Sequence, residues 1–68
     1  MLRNIVKRKR AELELTQTEL GELVGVTRQT IAFIEKGEFT PSVTLALKLA
    51  QALQLPIAEL FWLDEESS

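Results

Sequence analysis

An all-α domain is the fold class this sequence predicts, on three observations. Apolar residues recur at helical spacing along the chain, and no stretch alternates strictly enough to suggest an internal strand. Thr16, Thr27 and Ser42 each stand just before one of these periodic segments, where an N-cap belongs. Gly and Pro fall between the segments, where helices stop or cannot continue.

Leu2, Ile5, Val6 and Leu13 predict a first helix over roughly residues 2–13. A second is expected at about 17–24, with Leu20, Leu23 and Val24 as its buried stripe. Thr16 caps it, and Glu19 completes a capping box. Gly25 then lets the backbone turn where a side chain would be strained. The third helix, about 28–36, starts at the Thr27 cap, is anchored by Ile31 and Ile34, and stops at Gly37. Pro41 blocks helix within Phe39-Thr40-Pro41-Ser42, and Ser42 caps a fourth helix at about 43–53. That helix carries Leu45, Leu49, Ala50 and Leu53 on one face. Pro56 breaks it and opens a short fifth helix, about 57–62, built on Ile57, Leu60 and Phe61. Residues 1–63 are thus expected to form one domain, followed by a polar, frayed tail at 64–68.

Sixty-eight residues suffice for a single small domain, and 46% apolar content supports a packed core rather than disorder. With no cysteine and no histidine, disulfides, thiolate zinc sites and Ser-His or Cys-His chemistry are excluded. Paired acids in an apolar cleft, a Gly-rich phosphate loop and metal-ligand spacing are all missing, so neither catalysis nor a cofactor or metal is expected. No apolar run reaches membrane-spanning length and no signal-peptide pattern opens the chain, so a soluble, cytoplasmic protein is expected.

The formal net charge of −2 argues weakly against a nucleic-acid partner, but its distribution does not. Residues 1–36 carry seven basic and five acidic side chains, whereas residues 37–68 carry one basic and five acidic. Arg3, Lys7, Arg8, Lys9 and Arg10 crowd near the start, and Asp64, Glu65 and Glu66 near the end. One end of the domain therefore suits phosphates and the other repels them.

Thr16 to Gly37, TQTELGELVGVTRQTIAFIEKG, is the segment richest in chemistry. Two short helices joined by a tight glycine turn, the second led by Arg28, Gln29 and Thr30, have the layout of a helix-turn-helix. Arg suits the O6 and N7 acceptors of guanine, and Gln the N6 and N7 of adenine. A solvated polar face is the competing reading of the same side chains.

LTQTELGELVGVTRQTIAFIEKGEFTPS resembles the Cro/phage-repressor type of helix-turn-helix domain, the xenobiotic-response-element family. The opening Thr-Gln, the Gly-Val-Thr turn, the Ile-x-x-Ile-Glu-x-Gly ending and the following Pro occur in register. Flanking VKRKRAELEL and LALKLAQALQLPIAELF extend the likeness over about residues 3–63. The resemblance implies a five-helix, lambda-repressor-like domain that binds a double-stranded DNA operator as a homodimer and represses transcription.

By the same resemblance, Arg28, Gln29 and Thr30 read bases, while Thr16, Gln17, Thr27, Lys36, Thr40 and Ser42 hold the DNA backbone. Ala32 and Phe33 depart from the family's polar readers; Phe33 either meets a thymine methyl or sugar, or folds back over Phe39. Arg3 and Lys7 are further candidate phosphate contacts or a solvated face. Arg10 and Glu35 match a partly buried ion pair between the first and third helices. Leu47, Phe61, Trp62 and Leu63 exceed what one small core readily covers, which points to a dimer interface. The rival function is an antitoxin or helical interaction module with a toxin or sensor as its protein partner. Its support is the acidic tail beside Phe61, Trp62 and Leu63.

Overall fold

In a computed structural model that describes residues 1–64, five helices pack around one apolar core, and a short two-stranded sheet joins the ends of the chain. The order is β1 (Leu2–Asn4), α1 (Val6–Glu12), α2 (Gln17–Val24), α3 (Arg28–Glu35), α4 (Val43–Leu53), α5 (Ile57–Leu60) and β2 (Phe61–Leu63). Of the predicted acidic tail, residues 65–68 lie outside the described residues.

The sheet corrects the expected first and fifth helices at their outer ends. Strands β1 and β2 run antiparallel, with Leu2 opposite Leu63, Arg3 opposite Trp62 and Asn4 opposite Phe61. Ile5 N–H donates to the Leu60 carbonyl, and Asp64 N–H to that of Met1, so pairing extends past both strand ends. Asn4 marks the switch into α1: its Oδ1 accepts the Val6 N–H at 3.0 Å, and its Nδ2 donates to the Ile34 carbonyl at 3.0 Å. A side chain bonded this way terminates the strand and starts the helix.

The three expected N-caps are all in place. Thr16, Thr27 and Ser42 accept hydrogen bonds from the N–H groups of Glu19, Thr30 and Leu45. Helix α4 ends where Gln54 adopts φ 62°, and Leu55 N–H returns to the Ala50 carbonyl before Pro56.

Ile31, Ile34, Leu20, Leu49, Leu53, Leu60 and Val6 are the fully buried side chains that α1 to α5 converge on. Leu23 belongs to the solvent side instead, at 63% exposure, because the inner face of α2 is made by Leu20, Gly21 and Val24. Phe61 likewise leaves the expected interface patch and enters the core, at 8% exposure. Alternate strand residues face opposite ways, so Phe61 turns inward and Trp62 outward.

Candidate nucleic-acid interface

The unit α2–turn–α3 is built from caps and one close backbone approach. At its start, Thr16 Oγ1 accepts the Glu19 N–H at 2.9 Å and Glu19 Oε1 accepts the Thr16 N–H at 2.8 Å, a reciprocal capping box. At its turn, Gly25 takes φ 81° and Val26 N–H closes onto the Gly21 carbonyl at 2.9 Å. Gly21, on the inner face of α2, lies so close to the turn that an added Cβ would stand 2.6 Å from the Val26 carbonyl oxygen. The sequence reading missed Gly21. Its signal was a glycine, unfavourable inside a helix, on the same face as Leu20 and Val24.

Helix α3 divides sharply between its two faces. Ile31 and Ile34 are buried, while Arg28 and Gln29 at its leading edge are exposed and make no side-chain hydrogen bond or ion pair among the described residues. Thr30 is half-buried, and its hydroxyl lies 3.1 Å from that of Thr27. One turn on, Phe33 is exposed, as is Phe39, so the core does not cover the Phe33 ring.

The expected backbone-binding residues fall into two groups. Lys36 and Thr40 are exposed beyond the end of α3. Thr16, Thr27 and Ser42 use their hydroxyl oxygens as caps; the Thr16 and Ser42 hydroxyl protons stay available to donate, whereas the Thr27 hydroxyl is also paired with that of Thr30. Gln17 heads α2, and its Nε2 donates to Glu35 Oε1 at 3.0 Å. Arg3 pairs instead with Asp64 at 3.2 Å, and Arg8 and Lys9 both face Glu12; Lys7 is exposed.

Glu35 anchors the back of this unit. Its Oε2 receives Arg10 Nε at 2.6 Å, its Oε1 receives Arg10 Nη2 at 3.4 Å, and Arg10 Nη1 donates to the Leu15 carbonyl at 2.7 Å. The Arg10 side chain is 14% exposed and that of Glu35 4%, so the pair sits largely out of solvent and ties α1 to α3. Among the remaining expected interface residues, Leu47, Trp62 and Leu63 are exposed, Leu63 at 72%.

Two capped helices across a glycine turn, the second with a buried apolar face and a free polar leading edge, define a DNA-binding helix-turn-helix protein of the transcription-regulator class. Residues 6–60 match the family model described as Helix-turn-helix. The chain belongs to the Cro/phage-repressor-type helix-turn-helix family. It is similar to the HTH-type transcriptional regulator YgzD of Bacillus subtilis (strain 168), 50% identical over 97% of this chain and 100% of the relative. An HTH-type transcriptional regulator of Methanothermobacter thermautotrophicus is 48% identical over 98% of this chain and 99% of its own. Among solved structures, the P22 c2 repressor in complex with synthetic operator 9T superposes with a TM-score of 0.76, at 32% identity over 78% of this chain and 80% of that one. The restriction-modification controller protein C.AhdI of Aeromonas hydrophila gives 0.74, at 31% identity over 79% and 82%. No helix among the described residues is long and apolar enough to cross a membrane.

Proposed function

We infer that this protein is a sequence-specific, cytoplasmic, double-stranded DNA-binding regulator that represses transcription as a homodimer on a pseudo-palindromic operator. The observation that carries the reading is the pair Arg28 and Gln29, exposed and without a side-chain partner among the described residues at the start of α3, while Ile31 and Ile34 hold the opposite face in the core. Base edges in the major groove are the acceptors and donors that such side chains fit. The operator complex of the similar P22 c2 repressor supports the same use of the fold. Thr16, Thr27, Lys36, Thr40 and Ser42 flank that edge as backbone contacts, with Gln17 at the head of α2. Repression follows from occupancy: a dimer seated on a promoter excludes polymerase.

Selection of bound sequences from random duplexes tests the whole reading. The expected result is one motif with two half-sites about one DNA turn apart. Affinity for that motif should fall steeply with salt, with a log–log slope of about −3 or steeper. Failure to enrich any sequence overturns the reading.

A second reading has one observation in its favour. Trp62, Leu63 and Leu47 are exposed apolar side chains that could receive a toxin or sensor protein rather than a second copy of the chain. A stoichiometric partner that copurifies, with function intact in Arg28→Ala/Gln29→Ala, would decide for an interaction module.

A further inference from the structure

We propose that Glu35 is a positioning residue for DNA-backbone binding, acting through Gln17 as well as bracing the fold. This inference rests on the DNA-binding reading above.

Gln17 is the first residue of α2, where the backbone N–H groups of the opening turn have no intrahelical acceptor. Thr16 satisfies Glu19, which leaves the N–H groups of Gln17 and Thr18 directed out of the helix end. A phosphate approaching there meets the Gln17 side chain, and what that carboxamide presents depends on which way it is turned. Glu35 settles the orientation. A carboxylate accepts and cannot donate, so the end of the carboxamide against Glu35 Oε1, at 3.0 Å, must be the NH2 group. One of its two N–H bonds is used there; the other remains a donor beside the helix end.

Charge explains why such an arrangement does not repel DNA. A bare carboxylate behind a phosphate contact would be unfavourable, but both Glu35 oxygens also receive the Arg10 guanidinium. That guanidinium is locked in turn by the Leu15 carbonyl, so Arg10, Glu35 and Gln17 form a neutralised chain running to the head of α2. Gln17 is half-buried and Glu35 nearly fully buried, which limits the alternatives open to either side chain. The carboxamide therefore meets DNA with its rotamer already chosen, and binding need not order it.

A double-mutant cycle on the selected duplex separates this role from bracing. Wild type, Gln17→Ala, Glu35→Gln and the double variant are titrated by fluorescence anisotropy across a salt series. Glu35→Gln should weaken binding about tenfold, as loss of one hydrogen bond to a charged group would. In the Gln17→Ala background the same change should do nearly nothing further. A bracing role alone would lower the melting temperature, and any loss of binding by the folded protein would be the same in the wild-type and Gln17→Ala backgrounds. Should Glu35→Gln fail to fold, Arg10→Met/Glu35→Met takes its place, since apolar replacement of a buried pair is often tolerated. The free wild-type protein supplies another readout: the Gln17 side-chain amide protons should be distinct and protected from exchange by NMR. Additive losses in the cycle, or a freely exchanging Gln17 amide, overturns the role of Glu35 alone. If wild type selects no duplex at all, both this role and the DNA-binding reading fall.

Discussion

Two residues show how single side chains, or their absence, set the geometry of the helix-turn-helix. Gly21 is in the middle of a helix, where alanine would ordinarily be favoured by about 1 kcal/mol. Here the added methyl would meet the Val26 carbonyl oxygen at 2.6 Å, a backbone atom that moves only if the turn moves. The clash should outweigh the propensity: Gly21→Ala is expected to destabilise by roughly 1–3 kcal/mol in urea denaturation. A gain in stability would show that the turn is free to shift. Glu35 is the opposite case, a side chain whose loss strands a partner. Glu35→Ala leaves the 14%-exposed Arg10 guanidinium without its carboxylate and should cost about 3–5 kcal/mol, far more than the surface pair Arg8–Glu12. The cycle Arg10→Ala, Glu35→Ala and both together checks this, because a true pair gives a double variant much better than additive.

Among the elements, the helices were legible in the sequence and the strands were not. Caps are local: Thr16, Thr27 and Ser42 each act on an N–H three residues ahead, so the starts of α2, α3 and α4 could be read from short windows. Strand β1 depends on a partner about sixty residues away, and three residues carry no periodicity from which to infer it. Asn4 joins the two kinds of structure, since it starts α1 and reaches across to the end of α3. Asn4→Ala should cost about 1–2 kcal/mol in thermal unfolding through these two hydrogen bonds. The β2 strand also sorts its own aromatic residues. Phe61→Ala empties core volume and should cost about 3–5 kcal/mol, while Trp62→Ala, on the exposed side, should leave the folded monomer largely intact. Equal losses at the two positions would mean that Trp62 is covered.

For the whole molecule, the consequence of that sorting is an exposed apolar set, Leu47, Trp62 and Leu63, away from what the core absorbs. If these residues join two copies, Leu63→Glu should shift sedimentation from dimer to monomer and weaken operator binding while leaving helicity unchanged. An unchanged mass would place the interface elsewhere. Association also bears on specificity. Thr30 is tied to Thr27, and Ala32 and Phe33 offer no side-chain hydrogen bonds to bases, so under the proposed function Arg28 and Gln29 would carry most of the readout in one copy. Two copies on a dyad would double those contacts.

The order of amino acids alone decided the helical class, the capped starts of three helices, the turn at Gly25, and the polar leading edge of α3 at Arg28 and Gln29. Each of these follows from interactions within a few residues, where backbone chemistry and a 3.6-residue period suffice. Tertiary structure decided the rest. It moved Leu23 outward and Phe61 inward, closed the chain ends into a sheet, and turned Gln17 onto Glu35. Those outcomes depend on which distant surfaces meet. The periodic pattern names candidates for burial, but packing determines which of them is covered, and a long-range hydrogen bond exists only once the fold has brought both partners together.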